Sequence, residues 1–461
     1  MWAAMTNSTL RLLGLAALVM LGGCGGGEKV HHPNLVLISI DTLRPDFLGA
    51  YGHPRPTSPD IDAFAAQGVR FTDVTSASPW TLPSHASMLT GLYPSSHGVE
   101  DHDRQLTKET LGTVLKRAGF ETLAVVNSHN IGDKRFGLLR GFEKSTYQIE
   151  TEFDPETKLI TNQGPKIAKR AIEYLRARDP ERPFFLFLHF YDVHTDFTPD
   201  PKWKLEFVGP YSGELNGNTQ QLIRYRTKEN VLAPEDVVWL EEMYEAEIRT
   251  FDGVFRRVLD YLDASGLAED TVVAVTADHG EEYYEHHGVL HGRTYYQEVI
   301  RIPLLLRGPG IPAGLEVDTP VHLVDLTRTL YGLVGVEPPA GLDGIDLSPA
   351  WTGGVLPADR TLFAEADHNN RVDGEDVSNI RRMLRVGSEK LIFDTITGRK
   401  ELYDLASDPA EQHDLASERP ERVAELFAIL EDFMHREVHP EARELSPMDE
   451  DAQAQLNRLG Y

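Results

Sequence analysis

A single cysteine, Cys24, stands among the 461 residues. No intrachain disulfide and no cysteine-built zinc module can be made from it. Positive charge is also scarce: 45 Lys and Arg face 72 Asp and Glu, a formal net charge of −27. A surface of that sign repels phosphate backbones, so nucleic acid is not an expected partner. Past Cys24 no stretch is long and apolar enough for a transmembrane helix. What is present is 41% hydrophobic residues, with 9% aromatics. That is enough for a large core and excludes the disordered and low-complexity classes. The length predicts two or three domains, or one large α/β domain with an appendage.

Arg11 is the only charge before Glu28, and an apolar run from Leu12 to Leu21 follows it. The run is too short for a permanent span and reads as a signal segment over residues 1–23. It ends in Leu21-Gly-Gly-Cys24, which resembles a bacterial lipoprotein cleavage site. Cys24 is then the expected lipidation site, residues 24–33 a short tether, and the protein is exported and anchored to the cell envelope by lipid.

Apolar, β-branched-rich runs at Asn34–Ile40, Thr122–Val126, Phe184–Leu188 and Thr271–Thr276 alternate with helical patterns at Ser58–Gln67, Thr107–Ala118, Lys166–Arg178 and Pro234–Ala264. Continuous apolar strands predict a sheet covered on both faces, as in parallel α/β folds. The expected fold is an α/β doubly wound sheet over residues 34–355. A smaller α+β subdomain and an acidic tail follow over residues 356–461.

In open α/β sheets ligands bind beyond the carboxyl ends of the strands. Just past the apolar runs stand Asp41-Thr42, then His189 with Asp192 and His194, then Asp278-His279; a loop adds His286, His287 and His291. Carboxylates and imidazoles at one sheet edge are what a divalent metal ion needs. In Ser78-Pro-Trp-Thr81-Leu-Pro-Ser-His85-Ala-Ser-Met-Leu-Thr-Gly91, Pro83 fits a first helical turn and Gly91 its C-terminal cap. Thr81 is thereby placed at a helix N-terminus, where backbone N–H groups and the helix dipole favour an anionic ester. Glu281 and Glu282 read as a solvated face, and His286 and His287 as a solvated pair shaping the loop.

These segments, in this order, resemble the sulfatase family of the alkaline phosphatase superfamily. The resemblance runs from Pro33–Asp41 through Thr81–Gly91, Phe187–His194, Thr276–Glu282 and His291–Arg293 to Glu401–Pro409. It implies the alkaline phosphatase/sulfatase type of fold and an ester hydrolase. Two departures matter. The family's nucleophile is a Cys or Ser, oxidised to formylglycine and followed four residues later by Arg; here the positions hold Thr81 and His85. A secondary alcohol would oxidise to a ketone, so no formylglycine is expected. The family's paired aspartates at the first strand are reduced to Asp41-Thr42.

The remaining set resembles superfamily relatives that transfer phosphoryl groups through threonine. It implies Asp41, Thr81, Asp278 and His279 around one divalent ion, with Zn²⁺ or Mn²⁺ favoured by the imidazole and Ca²⁺ or Mg²⁺ as alternatives. Thr81 is the implied nucleophile. His291 or His194 is the implied proton donor to the leaving oxygen, and His85, Arg293 and Asp192 are implied substrate contacts. A second ion on Asp192, His194 and His291 is not expected, because the Asp-x-His spacing is tighter than in two-metal phosphodiesterases. The expected activity is cleavage of an anionic phosphate or phosphonate ester. Sulfate ester hydrolysis, envelope phospho-group transfer and a non-catalytic binding lipoprotein are the alternatives.

Overall fold

The computed structural model describes residues 31–147, 163–226, 230–372, 375–436 and 442–446. The expected signal segment, Cys24, most of the tether and most of the acidic tail lie outside the described residues. At the centre is a mixed sheet built from β1 (Asn34–Ile40), β2 (Val69–Thr75), β3 (Glu121–Val125), β4 (Lys144–Thr146), β5 (Phe184–Phe190), β6 (Thr271–Thr276), β7 (Arg301–Arg307) and β8 (Leu315–Val317). The spatial order is β8-β2-β7-β6-β1-β5-β3-β4, and the short strand Val321–His322 also pairs with β2. The three strands that carry the site, β5, β1 and β6, are parallel neighbours, with Ser39 of β1 in register with His189 and with Thr276. Every residue of β1, β5 and β6 is buried. This is why their sequences are unbroken apolar runs rather than alternating ones. Each fully buried Leu, Ile or Phe there contributes roughly 1.5–3 kcal/mol.

The sheet is not wholly parallel. β7 runs antiparallel to both β2 and β6, with a register shift between Ile302 and Leu304. Strand direction leaves no trace in a buried apolar pattern, so composition does not reveal it.

Helix α1 spans Thr81–Thr90, α2 Gly164–Arg176 and α3 Pro234–Ala264. α3 starts with Pro234 and carries Glu235 and Asp236 in its first turn, where the helix dipole favours them. Its buried residues Leu240, Tyr244, Ile248, Phe251 and Phe255 recur at helical spacing against the sheet. Tyr244 ties this helix to the loop after β1: its hydroxyl accepts from Arg44 N (2.8 Å) and donates to Thr42 O (2.7 Å).

The C-terminal part is a four-stranded antiparallel sheet of β9 (Thr361–Val372), β10 (Glu375–Val386), β11 (Glu389–Asp394) and β12 (Lys400–Asp404), with helix α4 over Pro420–Met434. It shares a hydrophobic cluster with the part that holds the central sheet: Ala77, Tyr93 and Val324 pack with Leu384, Leu391, Leu402, Leu426, Leu430 and Phe433. No helix among the described residues is long and apolar enough to cross a membrane.

Candidate active site

Asp41 follows β1 directly, and its N–H donates to Phe190 O at the end of β5 (2.9 Å). Asp278 and His279 follow β6 just past Ala277. One ligand atom from each of Asp41, Asp278 and His279 lies within 4.8 Å of the others, and all three residues are fully buried. Thr81 is the first residue of α1, with Oγ1 3.4 Å from His279 Nε2. Pro83 sits in the first turn, and Gly91 closes the helix in the left-handed region at φ 72°. The loop before α1 is fastened to the β6 end, since Ser76 and Ser84 both donate to Asp278 O.

The cluster fits a divalent cation. Both carboxylate oxygens of Asp41 and Oδ2 of Asp278 are buried with no hydrogen-bond partner among the described residues. Burial pushes the Asp41 carboxyl up to about 7, although nearby His279 favours its ionised form. Two carboxylates and an imidazole placed so, with a hydroxyl beside them, form a hard-to-borderline donor set of the kind that holds Zn²⁺, Mn²⁺, Ca²⁺ or Mg²⁺.

A second wall faces the first. His194 follows β5, His291 comes from the loop after β6, and the His291 ring lies 5.0 Å from His194 and 4.4 Å from His279. Glu281 joins them. It is fully buried, its Oε1 lies 2.9 Å from His291 Nδ1, and its Oε2 has no hydrogen-bond partner among the described residues. The expectation of a solvated Glu281-Glu282 face is therefore wrong: Glu282 is also buried, and it accepts from His286 N and Gly288 N. His286 is not solvated either. It is paired with Glu298 at 2.6 Å, which raises it to about 9 despite burial, and it stacks on Tyr296.

Three of the expected site residues also have structural partners of their own. His194 is buried, which pushes its imidazole down to about 3, and Tyr191 OH and Thr195 O lie 3.3 Å and 3.1 Å from its ring nitrogens. His85 is fully buried beside the cluster, with Nδ1 3.4 Å from Asp278 Oδ2. Its Nδ1–H donates to Thr81 O (2.9 Å), its Nε2 accepts from Ser39 Oγ (2.9 Å), and burial, at about 3, keeps it neutral. It braces the first turn of α1. Asp192 caps α2: its Oδ1 accepts from Gly164 N at 2.7 Å. Burial raises its carboxyl to about 6. Arg293, two residues after His291, is mostly enclosed beside Arg381, which donates to its carbonyl (3.0 Å).

Sequence reasoning missed two site residues, Glu281 and the role of His189, whose Nε2 lies 3.2 Å from Asp41 Oδ2. The signal for Glu281 was its place two residues after His279.

The backbone is held in costly conformations next to these side chains. Thr42, Val193 and Leu290 have φ of 54°, 76° and 68°. They adjoin Asp41, His194 and His291. Left-handed β-branched or bulky residues cost about 1–3 kcal/mol each and persist where their surroundings dictate the geometry. Gly280, between His279 and Glu281, has its own constraint: a Cβ there would collide with Glu298 O.

Comparison with known proteins places this arrangement. The sulfatase family profile matches residues 33–336, and the profile described as N-sulphoglucosamine sulphohydrolase, C-terminal, matches residues 285–438. An ulvan-active sulfatase from Formosa agariphila is 30% identical over 343 residues, which are 68% of this chain and 64% of that protein. A Δ4,5-hexuronate-2-O-sulfatase from Bacteroides thetaiotaomicron is 26% identical over 90% of this chain and 91% of its own. Among solved structures, the phosphonate monoester hydrolase of Agrobacterium radiobacter superposes with a TM-score of 0.73 at 22% identity, covering 91% of this chain and 98% of its own. The chain belongs to the sulfatase family of ester hydrolases.

Proposed function

We propose that the protein is an exported, metal-dependent hydrolase of phosphate or phosphonate esters that uses Thr81 as a direct nucleophile. The observation that carries this reading is the Thr81 hydroxyl at the start of α1, 3.4 Å from His279 Nε2 and beside the Asp41–Asp278–His279 cluster. The N-terminus of α1 suits the equatorial oxygens of an anionic ester through the helix dipole and its first-turn N–H groups.

Asp41, Asp278 and His279 would hold the divalent ion, which supplies the positive charge that acidifies a hydroxyl and offsets charge on the ester oxygens. Thr81 Oγ gives up its proton to solvent and attacks phosphorus in line; the Oγ–P bond forms, the P–O bond to the leaving group breaks, and the departing oxygen leaves with the electron pair and takes a proton from water. His85, neutral and bonded to both Ser39 and Thr81 O, fixes the first turn so that the hydroxyl keeps its aim. His194, Glu281 and His291 form the wall on the leaving-oxygen side. Water then attacks the phosphothreonine, breaks the Oγ–P bond and regenerates the hydroxyl.

The sulfate reading is favoured by the names of the curated relatives, which are sulfatases. A threonine alkoxide lacks the geminal-diol route that expels sulfate, so phosphate is preferred here. A matched panel of aryl phosphate monoesters, diesters, phosphonates and sulfates decides between them. Enzyme produced without any formylglycine-generating partner is expected to show a higher kcat/KM on at least one phosphorus ester than on the matched sulfate. A sulfate preference would overturn the assignment.

Export and anchoring rest on the Leu21-Gly-Gly-Cys24 motif. Mass spectrometry of protein from a bacterial envelope is expected to find a diacylglycerol-modified Cys24 as the mature N-terminus. An N-terminus elsewhere, with Cys24 unmodified or removed, would refute it.

A further inference from the structure

The wall opposite the first cluster contains a carboxylate with too few partners. Glu281 is fully buried, and Oε2 is left without a hydrogen bond among the described residues. Its other oxygen meets His291 Nδ1 at 2.9 Å. Arg226 lies near enough to act electrostatically on both Glu281 and His194. Burial drives such a carboxyl toward its neutral form unless a partner or a bound cation keeps it ionised. The groups next to it are two imidazoles. His194 contributes a neutral ring fixed by stacking on Tyr191 (4.2 Å) and by Thr195 O, 3.1 Å from Nδ1. His291 contributes a ring wedged between His194 and His279. One ligand atom from each of His194, Glu281 and His291 lies within 4.8 Å of the other two.

We infer that His194, Glu281 and His291 form a second divalent-cation site, so that the active centre takes two ions, one on either side of the reacting ester. The inference rests on the reading of Asp41, Asp278 and His279 as the first site. Two imidazole nitrogens and one carboxylate oxygen suit Zn²⁺ or Mn²⁺ better than Ca²⁺. Ligand distances of about 2.0–2.2 Å ask these side chains to close by no more than about an ångström. The backbone supports that geometry. Val193 and Leu290, in left-handed conformations, precede His194 and His291. Glu281 is fixed by Arg44 Nη1, which donates to its carbonyl (2.9 Å), and by its own N–H on Glu298 O (3.0 Å). The tight Asp-x-His spacing counts against a second ion only where Asp192 supplies the carboxylate. Asp192 Oδ1 is taken up by Gly164 N at the start of α2, and it is Glu281 whose ligand atom groups with those of His194 and His291. A cation there places positive charge beside the departing oxygen.

The test is metal stoichiometry. Purified protein is stripped with chelator, dialysed against Zn²⁺ or Mn²⁺, freed of excess ion and analysed by elemental mass spectrometry. Folding of each variant is checked by the melting curve of its metal-free form. Wild type is expected to hold two ions per chain, and Glu281→Gln and His291→Ala one. Anomalous diffraction from a wild-type crystal is expected to show two peaks, the second between His194 and His291. One ion in wild type, retained in Glu281→Gln and lost in His279→Ala, would overturn the second site and leave the first standing. No ion in wild type would remove both. Where His291→Ala fails to fold, Glu281→Gln and the anomalous map still decide.

Discussion

Thr81→Ala is expected to lower turnover by about 10⁴-fold or more while leaving the fold intact. Losses of that size follow when the nucleophile itself is removed rather than one of its helpers. The structural cost is small: Thr81 occupies the first position of α1, and alanine is the best helix former. The Oγ1–His279 Nε2 contact of 3.4 Å is long for a hydrogen bond. Activity and stability therefore separate, which marks a chemical role. Thr81→Ser is expected to keep a measurable fraction of kcat, because the attacking oxygen remains and only the methyl that restricts its rotamer is lost. A Thr81→Ala enzyme with undiminished turnover would refute the nucleophile assignment.

Asp41→Asn is expected to abolish activity and yet stabilise the metal-free protein. Burial raises the Asp41 carboxyl from 3.8 to about 7. The folded state thus favours the protonated form. The penalty for ionising the group in the fold is absent below about pH 4, grows as pH rises, and is complete above about pH 7. A rise of that size corresponds to about 4 kcal/mol, an upper figure because the site can relax or admit water. Asparagine carries no such penalty. In chelator, Asp41→Asn should exceed wild type in denaturant-derived stability by up to about 4 kcal/mol at about pH 8, with the difference vanishing near about pH 4. Comparing the two proteins at each pH cancels the opposing effect of the buried imidazoles His85, His97, His189, His194 and His322. These are held at about 3 to about 4, and they cost stability as pH falls below their unfolded value of 6.5. Saturating metal should reverse the order by stabilising wild type more. Equal stabilities at the alkaline end would show that Asp41 carries no buried charge in need of a cation.

What the sequence made legible follows physical lines. Asn34–Ile40 and Phe184–Phe190 are buried on both faces, so their apolar runs announced central strands. Asp41, Asp278 and His279 stand at the ends of such strands, where a polar residue is conspicuous. Thr81 was placed by Pro83 and Gly91, two residues whose backbone preferences mark a helix start and stop. Glu281 was hidden because an acidic residue in a stretch with Glu282 and Glu285 looks like surface. Only the fold, which fastens Glu281 N to Glu298 O and brings His291 and Arg44 against it, buries it. Asp192 misled for the opposite reason. Its partner, Gly164 N, lies 28 residues away in sequence, and no local pattern predicts a cap supplied from another element. The direction of β7 and the long strand Thr361–Val372 were invisible because pairing is a long-range property.

Covalent phosphorylation of Thr81 during turnover is the central claim. Rapid acid quench of the metal-loaded enzyme with a slowly released aryl phosphate ester, followed by peptide mass spectrometry, tests it directly. A phosphothreonine at position 81 is expected to accumulate within the first turnover and to be absent in Thr81→Ala. A burst of product with unmodified Thr81, or a phosphoryl group on another residue, would contradict it.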